Sequence, residues 1–299
     1  MHVVVFGAGS LGSLVGGLLA RTHEVTLVGR GEHVRAVRAD GLRLTGAVDL
    51  TVYPEARTEP PASADLVLVT VKAFDTADAA RALGGMDDAG AVLSLQNGMG
   101  NEETLAAALP WPVLAGTTDF GAERTGPGVV RCNGVGEVVL GPPEGGESPA
   151  ADRAGGAFRE AGIDATVAAD MPQRLWTKLA VNAGINPVTA LSRVDNGAVL
   201  EEPLAGIARG AARETAAAAT AAGVDLGPEE AVAAMEGVAR ETADNVSSMR
   251  QDVEAGRPTE VDAINGYVVE RAEEPVPVNR TLAALVGGWE AGEAGPGRD

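Results

Sequence analysis

The chain has 299 residues, a formal net charge of −19, 45% hydrophobic residues and 3% aromatic ones, a globular composition with length for about two domains. No apolar run reaches the ~18 residues of a membrane span, and so acidic a surface repels phosphate backbones, so neither a bilayer nor a nucleic acid is an expected partner. The single cysteine, Cys132, excludes an intramolecular disulfide and a cysteine-cluster metal site, and the three histidines lack ligand spacing, so no metal is expected.

Only two lysines occur, Lys72 and Lys178, and all other Lys/Arg positions are arginine. An acidic, lysine-poor chain points to adaptation to high salt, where charge repulsion is screened. A GC-rich genome would account for the arginines but not for the 42 acidic residues. The start, "MHVVVFGAGS", has no basic region ahead of its apolar run, so it reads as a strand and not a signal peptide, and a cytoplasmic location is expected.

Residues 2–6 form a short buried strand, followed by Gly7-x-Gly9-x-x-Gly12 and a helix. In that order Gly7 permits the tight turn, Gly9 lets backbone approach a pyrophosphate, and Gly12 allows close helix–strand packing. The helix start offers N–H groups and a positive dipole end, which makes Gly7, Ala8, Gly9, Ser10, Leu11 and Gly12 the expected dinucleotide-binding turn. The competing reading is a glycine turn that serves packing alone. A second strand at 23–28 completes a βαβ unit and ends at Gly29-Arg30. A carboxylate there would suit the ribose hydroxyl of NAD, whereas the Arg30 guanidinium suits a 2′-phosphate. NADPH is therefore expected over NADH, with Glu32 as the nearby feature that weakens the choice. Further strands are expected within 64–73, 89–100, 111–123 and 136–144. Ligands bind beyond the carboxyl ends of such strands, so Lys72 and the Gln96-Asn97-Gly98 group are expected at the cofactor crevice. Asn97-Gly98 also reads simply as a turn.

From residue 170 the pattern turns helical. Asp170 can cap a first helix with Pro172 in its first turn. Lys178, Asn182 and Asn186 then share one face at i, i+4 and i+8, with Leu175, Leu179, Ile185 and Leu191 on others. Pro187 removes one helix hydrogen bond. Helices are expected at 205–223, within 227–256, over 260–274 and at 279–290, with a frayed tail at 291–299. The fold class expected is an α/β Rossmann-type dinucleotide-binding domain over 1–169, followed by an all-α substrate domain over 170–299.

The segments "GAGSLG", "VTVKA", "QNGMG", "KLAVNAGINPVTAL", "DNG" and "SSMRQDVEAGRPTEVDAING" follow in order from residue 7 to 266. With them the chain resembles the ketopantoate reductase family. The resemblance implies NADPH-dependent reduction of 2-dehydropantoate to (R)-pantoate, on the way to pantothenate and coenzyme A. It implies Lys178 as general acid, Asn182, Asn186 and Asn196 as substrate contacts, and Ser248 at the substrate carboxylate. It also implies that Glu260 orients the reacting hydroxyl and the lysine, with Lys72 and Asn97 at the cofactor–substrate junction and Arg30 on the 2′-phosphate. Near 270–282 the chain is a few residues shorter than the family pattern. The chemistry agrees, because hydride addition builds negative charge on the carbonyl oxygen, and a cation able to release a proton lowers that barrier. Lysine can do so, whereas arginine stays protonated. Asn182 and Asn186 could instead tie helices together, Glu260 could be a solvated acid, and Ser247 stands beside Ser248. Asp252 and Asp262 read as surface acids or caps. The substrate is expected between the two halves, with hinge closure, and a homodimer is one assembly open to the chain. The rivals are a reductase of another branched 2-keto acid and a non-catalytic NADP(H) sensor.

Overall fold

The structure is a computed structural model that describes residues 1–293. The chain forms two compact units, Met1–Gln96 with Asn101–Met171, and Asn97–Gly100 with the residues from Pro172 onward. The Asn97–Gly100 loop thus groups with the helical unit, although its position in the chain had put it in the first domain.

In the first unit β1 (His2–Phe6) leads to α1 (Ser10–Leu19), β2 (Glu24–Val28) and α2 (Gly31–Asp40). Then come β3 (Leu42–Gly46), β4 (Leu50–Val52), β5 (Glu55–Arg57), β6 (Ser63–Ala64), β7 (Leu66–Val69), α3 (Thr76–Leu83), β8 (Asp88–Ala89) and β9 (Val92–Ser94). The unit continues with α4 (Asn101–Ala108), β10 (Val113–Thr118), β11 (Gly121–Gly126), β12 (Val129–Gly134), β13 (Val138–Gly141), α5 (Pro149–Glu160) and β14 (Ala165–Val167).

The main sheet has the order β14-β13-β10-β9-β7-β1-β2-β5. β1 pairs in parallel with both β2 and β7. The chain winds outward through β2 and β5, then returns to the other side of β1, so the strand order reverses between β1 and β7. Such a reversal opens a crevice at the carboxyl ends of the two strands, where open α/β sheets bind ligands. Side chains alternate across the sheet as the pleat requires. Val3, Val5, Leu66 and Leu68 pack under α1, α2 and α5, while Val4, Val67 and Val69 pack under α3 and α4. A second sheet, β11-β12-β3-β4, was not expected. It buries Leu42, Leu44, Val52, Val130 and Cys132 in the α1 core. Cys132 is a core residue, and burial pushes its thiol pKa up.

Under α4 lies a buried polar group. Gln96 Nε2 donates to Thr76 Oγ1 at 2.7 Å, and Thr76 Oγ1 donates to Asn101 Oδ1 at 2.8 Å. Beside it, burial pushes the Glu102 carboxyl above its ordinary value of 4.5, opposed by hydrogen bonds from its own backbone N–H and the Ser94 hydroxyl. An acid whose folded pKa is raised adds stability that is fully present below the unfolded value and is lost as pH rises through the folded one. Glu102→Gln should remove that decline. Urea unfolding of both proteins between about pH 4 and 9 checks it: the wild type loses stability relative to the variant as pH rises, and parallel curves would contradict the assignment.

The second unit holds α6 (Met171–Ser192), α7 (Leu204–Ala221), α8 (Pro228–Glu241), α9 (Ser248–Glu254), a π-helical turn at Asp262–Gly266, α10 (Tyr267–Arg271) and α11 (Pro277–Glu293). Its core is rich in alanine, including Ala208, Ala211, Ala212, Ala216 and Ala219 of α7. Small side chains let backbones close up: a Cβ on Gly184 of α6 would lie 2.9 Å from Met235 Cγ and 3.0 Å from Ala208 O. Three expectations are corrected. The region 227–256 carries two helices, the region after Glu260 opens with a π turn, and the last helix spans 17 residues. Residues 291–293 belong to that helix and are not frayed, and 294–299 lie outside the described residues.

Candidate active site

In the first unit the glycine turn sits at the β1/β7 reversal. Gly7 has φ +114°, a value that favours glycine. A Cβ on it would lie 2.7 Å from Val71 N, so β7's continuation abuts the turn. Thr70 stitches the two together, with Oγ1 donating to Gly7 O at 2.8 Å and N–H donating to Phe6 O at 2.9 Å. A Cβ on Gly12 would collide with Gly7 O and Thr70 Oγ1. The Gly7 and Ala8 amides both donate to Val28 O, and the Gly9 amide donates to Gly7 O. The amides of Ser10, Leu11 and Gly12 open α1, where an α-helix has no intrahelical carbonyl to offer. The first turn of α1 carries no acid, so its positive end is not neutralised there. The Ser10 hydroxyl accepts from Arg124 N–H at 3.0 Å, holding the turn to β11.

Arg30 stands at the end of β2, exposed, just ahead of α2, and makes no ion pair among the described residues. Glu32 turns to Arg35 instead, at 3.9 Å. Lys72 follows Thr70–Val71 and is half-buried. Gly7–Gly12, Thr70 and the approach to Lys72 therefore lie together at one end of the sheet.

In the second unit α6 carries Lys178 and Asn182 half-buried and Asn186 buried. Leu175, Leu179 and Ile185 are in the core, and Leu191 is 38% exposed. The helix continues through Pro187 to Ser192. Thr189 Oγ1 donates to Ile185 O at 2.8 Å and shares a 2.7 Å hydrogen bond with Ser247 Oγ. Ser247 also caps α9 by accepting from Arg250 N–H at 3.2 Å. It is therefore engaged and buried, while Ser248 is exposed, so the neighbouring serines are distinguished by structure. Asn196 is buried; its Nδ2 donates to Thr242 Oγ1 at 2.9 Å, and its enclosed Oδ1 has no partner among the described residues. Its side chain thus ties this turn to the end of α8.

Glu260 is buried immediately before the helical Val261. Its surroundings are braced, with Thr259 N–H donating to Glu290 Oε1 at 2.6 Å. The Asn97–Gly100 loop lies on the following π turn: Met99 N–H donates to Ala263 O at 2.9 Å, and a Cβ on Gly98 would lie 2.6 Å from that oxygen. Gly98 has φ +79°, so Asn97-Gly98 is a turn as well as a candidate ligand. Asp252, expected as a surface acid or cap, is 4% exposed and pairs with Arg257 Nε at 3.0 Å.

The sequence pattern described as Ketopantoate reductase PanE/ApbA matches residues 3–145, and that described as Ketopantoate reductase PanE/ApbA C terminal matches residues 170–290. A 2-dehydropantoate 2-reductase of Halobacterium salinarum is 48% identical over 298 residues, covering 96% of this chain and 98% of that protein. The chain belongs to the ketopantoate reductase family. Among solved structures, the PanE/ApbA family ketopantoate reductase of Ralstonia eutropha JMP134 is 35% identical with a TM-score of 0.91, covering 99% of this chain and 100% of that one. D-mandelate dehydrogenase, in a ternary structure with NADH and anilino(oxo)acetate, is 25% identical with the same TM-score of 0.91, covering 98% of this chain and 99% of that one.

Membership in the ketopantoate reductase family agrees with the Rossmann-type sheet unit followed by a helical unit. What sequence reasoning missed in this family member is the set of braces behind the candidate residues: Thr70 on the glycine turn, Thr189 on Ser247, and Asn265 in the π turn. The signal available was a polar residue at an apolar helical position, as for Thr189 and Asn265, but the partner of each lies far along the chain.

Proposed function

We propose that this chain reduces 2-dehydropantoate to (R)-pantoate with NADPH, toward pantothenate and coenzyme A. The observation that carries the reading is one helix face bearing Lys178, Asn182 and Asn186, in a family member nearly half identical to a named 2-dehydropantoate 2-reductase along almost its full length. The residues fit a dinucleotide: a Cβ on Gly9 would meet only Gly7 O, at 3.9 Å, so backbone there is open to a ligand, and a helix start without first-turn acids suits a pyrophosphate. In the proposal Gly7–Gly12 take the pyrophosphate, Arg30 the 2′-phosphate, and Lys72 and Asn97 the junction with the substrate. When bound, the cofactor supplies the hydride that adds to the keto carbon. Lys178 Nζ–H gives its proton to the carbonyl oxygen as charge develops there. Asn182 and Asn186 each offer a donor and an acceptor, matching a substrate with hydroxyl and keto groups. Ser248 donates to the substrate carboxylate, and Glu260 orients the hydroxyl and the ammonium. Asn196 is a further substrate-side asparagine in the proposal. The reading carries a cytoplasmic location and activity best measured in molar KCl, with a homodimer one assembly open to the chain.

A second reading, reduction of another branched 2-keto acid, is favoured by one observation: D-mandelate dehydrogenase shares the fold at the same TM-score. Comparing kcat/KM for 2-dehydropantoate and 2-ketoisovalerate decides between them. The first reading expects selectivity above about tenfold, because a site built to bond a substrate hydroxyl discriminates against the analogue that lacks it. Selectivity below that counts against the named substrate.

A further inference from the structure

Pro187 has no N–H to give the carbonyl four residues earlier in α6, that of Ala183, and its ring crowds the same carbonyl. Ala183 is fully buried, where a bare carbonyl is costly. The missing donor is supplied from 82 residues away: Asn265 Nδ2 lies 3.2 Å from Ala183 O. Asn265 is itself fully buried, in the π turn. Its amide also donates to Asn279 Oδ1 at 2.9 Å. Asn279 Nδ2 passes the chain on to Ala211 O of α7 at 3.0 Å and to Glu214 Oε2 at 2.9 Å. Glu214 closes it by accepting the Val278 and Asn279 N–H groups at the start of α11, at 2.9 and 2.8 Å. Two oxygens against one end of Asn265 fix that end as the amide nitrogen. Its Oδ1 has no partner among the described residues. With that oxygen unpartnered, what the Asn265 side chain gives this core is its donor.

The same π turn carries two other candidate elements. Ala263 O holds the Asn97–Gly100 loop through Met99 N–H at 2.9 Å, and Glu260 lies just before the turn. Segments of this kind, one residue wider than an α-turn, recur at functional sites. Asn265 is thus a hydrogen-bonded link between the helix of Lys178, Asn182 and Asn186 and the turn that follows Glu260 and holds the Asn97–Gly100 loop.

We propose that Asn265 is a positioning residue for the reduction: by giving Ala183 O the hydrogen bond that Pro187 cannot, it sets the course of α6 against the Glu260 turn. The inference rests on the reductase reading above. Its test is a double-mutant cycle in kcat with Asn265→Leu, Pro187→Ala and the pair, measured on folded protein with 2-dehydropantoate and NADPH. Alanine at 187 restores a backbone N–H to Ala183 O. Asn265→Leu in the otherwise native chain should lower kcat about tenfold or more with the KM for NADPH unchanged. In the Pro187→Ala background the same change should cost at most a third as much. A residue that only fills the core would lower stability equally in both backgrounds and leave the kcat of folded enzyme alone; equal losses, or no loss, overturn the inference. If Asn265→Leu alone yields no folded protein, the double variant decides, since recovery supports the inference and failure overturns it. A wild type that turns over no 2-keto acid would sink the reductase reading itself and this inference with it.

Discussion

Lys178→Ala should lower kcat for 2-dehydropantoate reduction by about 10²–10⁴-fold, the range for loss of a positioned general acid, and should leave NADPH binding nearly intact. The split follows from where the residue stands. Lys178 is on α6 in the helical unit, whereas the glycine turn and Arg30 belong to the sheet unit. Removing the ammonium deletes an interaction that matters most as charge builds on the carbonyl oxygen, so kcat and kcat/KM should fall together. Lys178→Arg separates charge from proton donation. The guanidinium keeps the positive charge but does not release a proton at working pH, so this variant should remain close to the alanine variant. Steady-state kinetics with NADPH titration by fluorescence checks both. An arginine variant with most of the wild-type kcat would mean that the charge alone suffices.

The second large effect is expected at Arg30. Arg30→Ala should raise the KM for NADPH about 10–100-fold, the loss of charged hydrogen bonds to a phosphate, and leave the KM for NADH nearly unchanged. Among the described residues Arg30 has no ion-pair partner to compete for it, and Glu32, the residue that weakened the expectation, lies 3.9 Å from Arg35 with both side chains mostly exposed. Salt screens the contact, so both cofactors must be compared at one KCl concentration. Equal changes for the two cofactors would refute the 2′-phosphate role.

The glycine turn and the face of α6 were legible because both are local. A turn that needs φ +114° at Gly7, and a carbonyl of Gly7 lying where a Cβ of residue 12 would go, demand glycine whatever surrounds them. Three polar residues at i, i+4 and i+8 in an apolar helix likewise stand out from 3.6-residue periodicity alone. In the second sheet, Leu50–Val52 is too short for alternation to register, and Gly121–Gly126 is glycine-rich, polar and buries no side chain fully. The place of the Asn97–Gly100 loop escaped for a different reason. Its packing depends on Ala263, more than 160 residues onward, and nothing in "QNGMG" encodes that partner. The same holds for Asp252, whose buried carboxylate pairs with an exposed Arg257 and looked like ordinary surface charge, and for the Asn265–Asn279–Glu214 chain, which joins residues from three separate segments. The choice of Ser248 over Ser247 rests on resemblance; the sequence does not show that Ser247 is engaged by Thr189 and the start of α9.

The central claim is tested most directly by quantifying pantoate formed against NADPH consumed, using the purified chain and 2-dehydropantoate in molar KCl. One (R)-pantoate per NADPH, at a rate that collapses in Lys178→Ala, is the predicted result. NADPH binding without pantoate formation, or faster consumption with 2-ketoisovalerate, would contradict it.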